Sequence, residues 1–485
     1  MAIFNEQKAR ELMTRVIALS KADECECNLN GSIAGNIRYA RNTVSTSGEV
    51  SDVTLAVQSC YGKRVGVATI NEFDDASLEK VVRRSEELAK LAPENPEHMP
   101  NLGPHKYSKV NAWYKSTASV TPQDRAAAAE ASIVPSRENK LIASGYLNDA
   151  QSFNALMNKA GMFAYHQSTD VNFTATIRTE DGTGSGWVSR DFNDSSKMDT
   201  REASNIAIKK SMGSKDAKEM EPGKYTVIME PAATVQLLSN MFGSMAQRAA
   251  DEGRSFLSKK AAEGTEPVEG APTNRLGEKM FDERVTIYSD PANADCPTTP
   301  FAGDGHAVGK TSWIDKGVIK AMPNTRYWAD KTGSAYYPTA YTGPGLFGGN
   351  QQLIMHGGDQ SLEDMIKDTR RGVLVTRLWY IRQLDPQTLL YTGLTRDGTF
   401  YIENGEIKYP IKNFRFNESP IVMLNNIEAL GKPQRINGSM IPPMKIRDFT
   451  FSSLSDAVYV MKRTPWGVRF SGKLSICIDE GLSVL

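Results

Sequence analysis

The stretch Gly372 to Ile407 reads GVLVTRLWYIRQLDPQTLLYTGLTRDGTFYIENGEI and constrains the fold more than any other part of this chain. Apolar, β-branched and aromatic residues mark strands. Asp397-Gly398 and Asn404-Gly405 are dipeptides that accept positive φ at little cost, so each is read as a hairpin turn. Asn404-Gly405 stands between Thr399–Glu403 and Glu406–Tyr409, the arrangement a two-residue type I′ turn requires. The same block carries Arg377, Tyr380, Arg382, Arg396 and Asp397. An unpaired buried charge is expensive, so core strands rarely hold such a set. Arg377, Tyr380, Arg396 and Asp397 are therefore candidate cleft residues; the competing reading is a buried ion-pair network supporting a barrel or sheet.

At 485 residues the chain is long enough for two or three domains. Its 57 basic and 57 acidic residues balance, which leaves no electrostatic reason to expect nucleic acid or an anionic membrane as partner. MAIFNEQKARELMTRV interleaves charge with apolar residues, unlike a signal peptide, and no stretch approaches the apolar length of a spanning helix. Cys25, Cys27, Cys60, Cys296 and Cys477 form an odd, scattered set, as expected of reduced thiols in the cytoplasm.

The fold expected is α+β. An N-terminal mixed region with antiparallel strands spans residues 1–220, with subunits at about 1–95 and 120–215 and a linker at about 91–104 holding four prolines. Helical periodicity is expected over 5–20 and 77–90, and strands over 36–42, 53–60 and 64–70. Thr121 to Asp124 resembles a capping box opening a helix that runs to about Ile133. Segments 145–147, 152–157, 162–166, 171–178 and 186–190 suggest a meander, followed by a helix over 200–212. From residue 221 to 485 a β-rich, barrel-like or sandwich-like domain with few helices is expected. Within it, a helix covers about 232–250, a mobile loop about 259–279, and a further helix starts at Ser361.

Taken together, several segments are similar to the TldD/TldE (PmbA) family, peptidase-related proteins also called modulators of DNA gyrase. The carriers are the Gly372–Ile407 block, Asn36 to Thr43, Gly66 to Asn71, Arg254-Ser-Phe-Leu257 and Lys445 to Ala457. TldD-type members of that family bind zinc on a helix bearing His-Glu-x-x-x-His. Here the histidines are His98, His105, His166, His306 and His356; none is followed by Glu and none has another four or five residues away. None lies between His166 and His306, where the resemblance places the metal helix. The corresponding Ala232–Ala250 is dominated by Leu, Met, Phe and Ala.

The chain thus resembles the TldE (PmbA) branch, which lacks the zinc motif. What that implies is a metal-free, non-catalytic subunit that pairs with a TldD-type, zinc-bearing chain in a cytoplasmic complex acting on unfolded peptides. The alternatives are a self-sufficient metallopeptidase with an atypical site, for example His306, His356 and Cys477, and a homodimeric peptide-binding or scaffold protein. Arg254 could meet a peptide carboxylate or a partner's backbone, or simply pair with Glu252. The run Thr342 to Gly349, preceded by Tyr336, Tyr337 and Tyr341, could form a lip admitting extended peptide or plain turns; it lacks the Gly-Lys-Ser/Thr of a phosphate loop. No Gly-x-Ser-x-Gly elbow is present, and Cys60 has no histidine near it in sequence.

Overall fold

A computed structural model describes residues 3–259, 273–338 and 352–455, and the backbone of Met461–Thr464 and Gly467–Phe470. Most of the expected loop 259–279, the Gly-rich run 342–349, Tyr341 and Cys477 lie outside the described residues.

The fold is α+β, as expected. Its first half is one antiparallel sheet, ordered β3-β2-β1-β4-β5-β6, whose strands are β1 (Glu24–Ala40), β2 (Thr43–Tyr61), β3 (Arg64–Ile70), β4 (Leu141–Asn158), β5 (Phe163–Thr179) and β6 (Ser185–Phe192). Four of these strands are 17 to 19 residues long, where the sequence suggested shorter pieces. Polar residues such as Asn148 to Gln151 read as breaks, yet they pair without interruption to β1 on one side and β5 on the other. Strands from the 1–95 and 120–215 regions therefore share a single sheet.

Side-chain alternation sorts this sheet into two faces. Cys25, Cys27 and Leu29 face one way and pack with Val53, Leu55 and Val57 under helices Glu6–Leu19 and Asp75–Leu91. Eight residues on from Leu29, Ile37 faces the same way, under helices Pro122–Glu138 and Thr200–Gly213. The Pro122–Glu138 helix opens with the capping box formed by Thr121 and Asp124. From it Arg125 lies across the sheet, and its Nε donates to Asp149 Oδ2 at 2.6 Å. Gly35 is the register partner of both Asp149 and Glu49, and a Cβ there would overlap the Arg125 guanidinium. The glycine is what lets the arginine reach the carboxylate.

The second half is β-rich. Strands Arg371–Asp385, β7 (Gly223–Met229), Met444–Leu454, Phe414–Glu418 and Leu390–Glu403 pair in that order, and the first and last also pair with each other, closing a five-stranded barrel. A further six-stranded sheet includes Ile287–Ser289, Thr311–Asp315 and Ser439–Ile441. The expected helix 232–250 is two helices, Pro231–Gly243 and Gln247–Asp251. At the break, the carbonyl of Ser244 accepts a hydrogen bond from Ser255 Oγ at 2.7 Å. The Ser361 helix is short, Leu362–Lys367, but has its capping box with Asp364. Two further short helices, Arg326–Thr332 and Pro420–Asn425, were not read from the sequence.

Asn404-Gly405 makes the expected turn, with φ of +49° and +79° and Glu403 opposite Glu406. Asp397-Gly398 does not form a hairpin. The pair sits within the Leu390–Glu403 strand with φ of +57° and +120°, opposite Thr376 alone, and makes a β-bulge. Positive φ serves either device, so the dipeptide by itself does not distinguish a turn from a bulge. Tyr380, φ +54°, forms a second bulge across from Gly393.

Candidate functional site

The resemblance expects a metal on the helix that follows β7. Pro231–Gly243 carries no histidine, cysteine or acidic side chain. Ala233, Val235, Leu237, Leu238, Met241 and Phe242 are buried in the main hydrophobic core, together with Trp313 and Ile441 of the further sheet and Val375 of the barrel. The carboxylate of Glu230, at the N-cap position, has both oxygens 2.7 Å from Lys210 Nζ, and Thr376 Oγ1 donates to it at 3.2 Å. A catalytic zinc needs about three protein donors and an open position. The residues of this helix do not fit one.

The predicted cleft residues divide into three groups. Arg377, Arg396 and Asp397 come together. The Asp397 carboxylate is buried at the bulge, where Arg377 Nε donates to Oδ2 at 2.7 Å and Arg396 stands 3.6 Å away. Its other oxygen accepts from Ser185 Oγ of β6 at 2.6 Å. The Arg377 guanidinium also lies over the Trp187 ring of β6, 4.5 Å from its centroid. This network therefore joins the first sheet to the barrel. Of its members Asp397 and Ser185 line a cleft of about 270 Å³, with Ser214, Thr399 and Asn413, whereas Arg377 and Arg396 are not part of that lining. Burial lowers the Arg396 pKa, and Asp397 opposes that shift. Tyr380 lies further along the strand, exposed, under the Arg382 guanidinium. Arg254 is apart from both groups and pairs with Glu252.

A larger space opens on the other face of the first sheet. Asn30, Ser32, Asn154, His166, Ser168 and Asp170 line a cavity of about 810 Å³, bordered by Pro297 to Thr299. Strand register builds it: Asn30 opposes Asn154, which opposes His166, while Ser32 opposes Ser152, which opposes Ser168. Two buried atoms of its lining, Asn30 Oδ1 and His166 Nε2, have no hydrogen-bond partner among the described residues. Burial pushes His166 down to about 4, so the ring is neutral at pH 7. Asp170 is pushed up to about 6 by burial and by the Asp149 and Asp191 carboxylates, with Arg435 opposing. Neutral imidazole, carboxamides and hydroxyls can each donate or accept, which suits main-chain amides. In the sequence His166 reads as a structural or surface residue. The alternation of polar residues along β1, β4 and β5 was the signal available.

A third cluster joins Glu24, Cys60 and His98, whose ligand atoms all lie within 4.8 Å of one another. It was not anticipated, because His98 lies 38 residues from Cys60. His306 instead makes edge contacts with His105 and Tyr336, and His356 with Tyr288.

Comparison with known proteins agrees with the architecture. Residues 222–453 match the PmbA/TldA metallopeptidase C-terminal domain, and residues 26–89 match PmbA/TldA metallopeptidase domain 1. A metalloprotease of Methanothermobacter thermautotrophicus is 22% identical over 305 residues, 59% of this chain and 62% of the relative. Metalloprotease PmbA of Escherichia coli O157:H7 is 26% identical over 180 residues, 35% of this chain and 37% of the relative. The match thus spans less than two thirds of the length of either curated relative. The solved structure of TldE from Thermococcus kodakarensis superposes with a TM-score of 0.80 at 18% identity, covering 91% of this chain and 100% of that one, which establishes a shared fold. With two family domains matched in order over more than half its length, this chain belongs to the PmbA/TldD metallopeptidase family.

Proposed function

We propose that this chain is a TldE-like, non-catalytic subunit of a cytoplasmic peptidase acting on unfolded peptides, and that a TldD-type partner supplies the zinc. The observation that carries this reading is the Pro231–Gly243 helix. Most of its positions are taken up by core packing, and the Glu230 carboxylate at its start is held by Lys210. The polar cavity supports a role in handling the peptide. A lining of amides, hydroxyls and a neutral imidazole would take main-chain groups with little regard to sequence, as strand addition does.

Among the described residues no helix is long and apolar enough to cross a membrane. The test is reconstitution. The purified chain is assayed on an unfolded peptide alone, with a TldD-type chain, and with that chain's metal ligands removed. Turnover is expected only in the second mixture, accompanied by a co-migrating complex. Turnover by this chain alone, or no complex with any TldD-type chain, refutes the reading.

A further inference from the structure

We propose that Glu24, Cys60 and His98 supply three ligands of a binding site for a zinc-class divalent cation, with solvent in the fourth position, separate from any peptidase centre. Glu24 and Cys60 are register partners at the open ends of β1 and β2, so their side chains project from the same face of the sheet. His98 reaches them from the proline linker. Its Nε2 lies 3.5 Å from Cys60 Sγ and 3.0 Å from Glu24 Oε1. Zinc holds thiolate at about 2.3 Å and imidazole nitrogen or carboxylate oxygen at about 2.0–2.2 Å. Tetrahedral angles then place the ligand atoms roughly 3.3–3.6 Å apart. The sulfur–nitrogen separation already meets that value, and the nitrogen–oxygen pair needs to open by only a few tenths of an ångström.

The surroundings hold the ligands in place. Glu24 Oε2 accepts the Asn101 backbone N–H at 2.7 Å, which aims the other carboxylate oxygen at His98. The linker is tied down by Asn95 N–H donating to Lys63 O at 2.9 Å and by the Asn101 side chain donating to Cys25 O at 3.3 Å. Cys25 and Cys27 lie in the core on the opposite face, so Cys60 is the sulfur available here. Six residues along β1 from Glu24, Asn30 marks the polar cavity, about 20 Å away at strand rise. The ion would therefore fasten a corner, joining two strand ends to the linker. On binding, the Cys60 thiol proton passes to solvent, and His98 coordinates through Nε2.

The test uses the full chain, stripped of metal under reducing conditions and titrated with Zn²⁺ by calorimetry and with Co²⁺ by absorbance. One equivalent should bind, with a thiolate-to-cobalt charge-transfer band. Cys60→Ser should abolish the band, and Cys60→Ser and His98→Gln should each weaken binding by more than about tenfold. His306→Ala, which disturbs the other histidine pair, should bind as the parent does. Circular dichroism confirms that each variant is folded. Absence of stoichiometric binding by the parent protein, or binding that neither Cys60→Ser nor His98→Gln weakens, overturns the proposal.

Discussion

Replacing His166 with glutamine isolates the burial of one imidazole and gives a pH signature that can be worked out beforehand. The ring is 6% exposed, its Nε2 is unpaired, and burial lowers its pKa from 6.5 to about 4. Above pH 6.5 the imidazole is neutral in both folded and unfolded chains, so it adds no pH dependence. As pH falls below 6.5 the unfolded chain takes a proton that the folded chain refuses, and stability declines until the pH passes about 4. At about 1.4 kcal/mol per pH unit, the loss due to this group reaches about 2 kcal/mol at pH 5. Glutamine does not titrate. The difference in unfolding free energy between parent and His166→Gln should therefore shift in favour of the variant by about 2 kcal/mol between pH 7.5 and pH 5. Urea unfolding at the two pH values measures it, since other titrations are common to both proteins and cancel. A difference that is the same at both pH values would show that His166 is not buried in an ion-excluding site, and the account of the cavity lining would fail.

The joint between sheet and barrel makes its own predictions. Asp397→Asn keeps the shape and the tolerance for positive φ but removes the charge facing Arg377 and Arg396; a loss of about 3 kcal/mol is expected in denaturant unfolding, and an unchanged midpoint would refute the network. Arg377→Ala removes the contact to Asp397 and the cover over Trp187, and being partly solvated should lower stability by about 1–2 kcal/mol, read as a fall in melting temperature. Gly35→Ala places a methyl group where the Arg125 guanidinium lies and should destabilise by about 2 kcal/mol or more; a neutral result would mean that Arg125 reaches Asp149 by another path.

What could be read in the sequence was local. The Asn404-Gly405 turn, the capping box of Thr121 with Asp124 and the helix start at Ser361 depend on a few neighbouring residues and are found as expected. The family resemblance also rested on contiguous segments. What escaped depended on pairing at a distance. Asn148 to Gln151 continue a strand only because β1 and β5 flank them, and Asp397 lies in a bulge only because the Arg371–Asp385 strand lies opposite. Arg377 and Asp397 are close enough in sequence to be considered together, but their link to Ser185 and Trp187 crosses roughly two hundred residues of chain. The meeting of Glu24, Cys60 and His98 likewise needs the β1–β2 register and the folded linker.

Peptide turnover by the isolated, zinc-loaded chain tests the central claim most directly. With the Pro231–Gly243 helix committed to the core, no cleavage above background should occur, whether or not the ion is bound at Glu24, Cys60 and His98, and addition of a TldD-type chain should restore it. Cleavage by the isolated chain that a chelator abolishes and zinc restores would contradict the account.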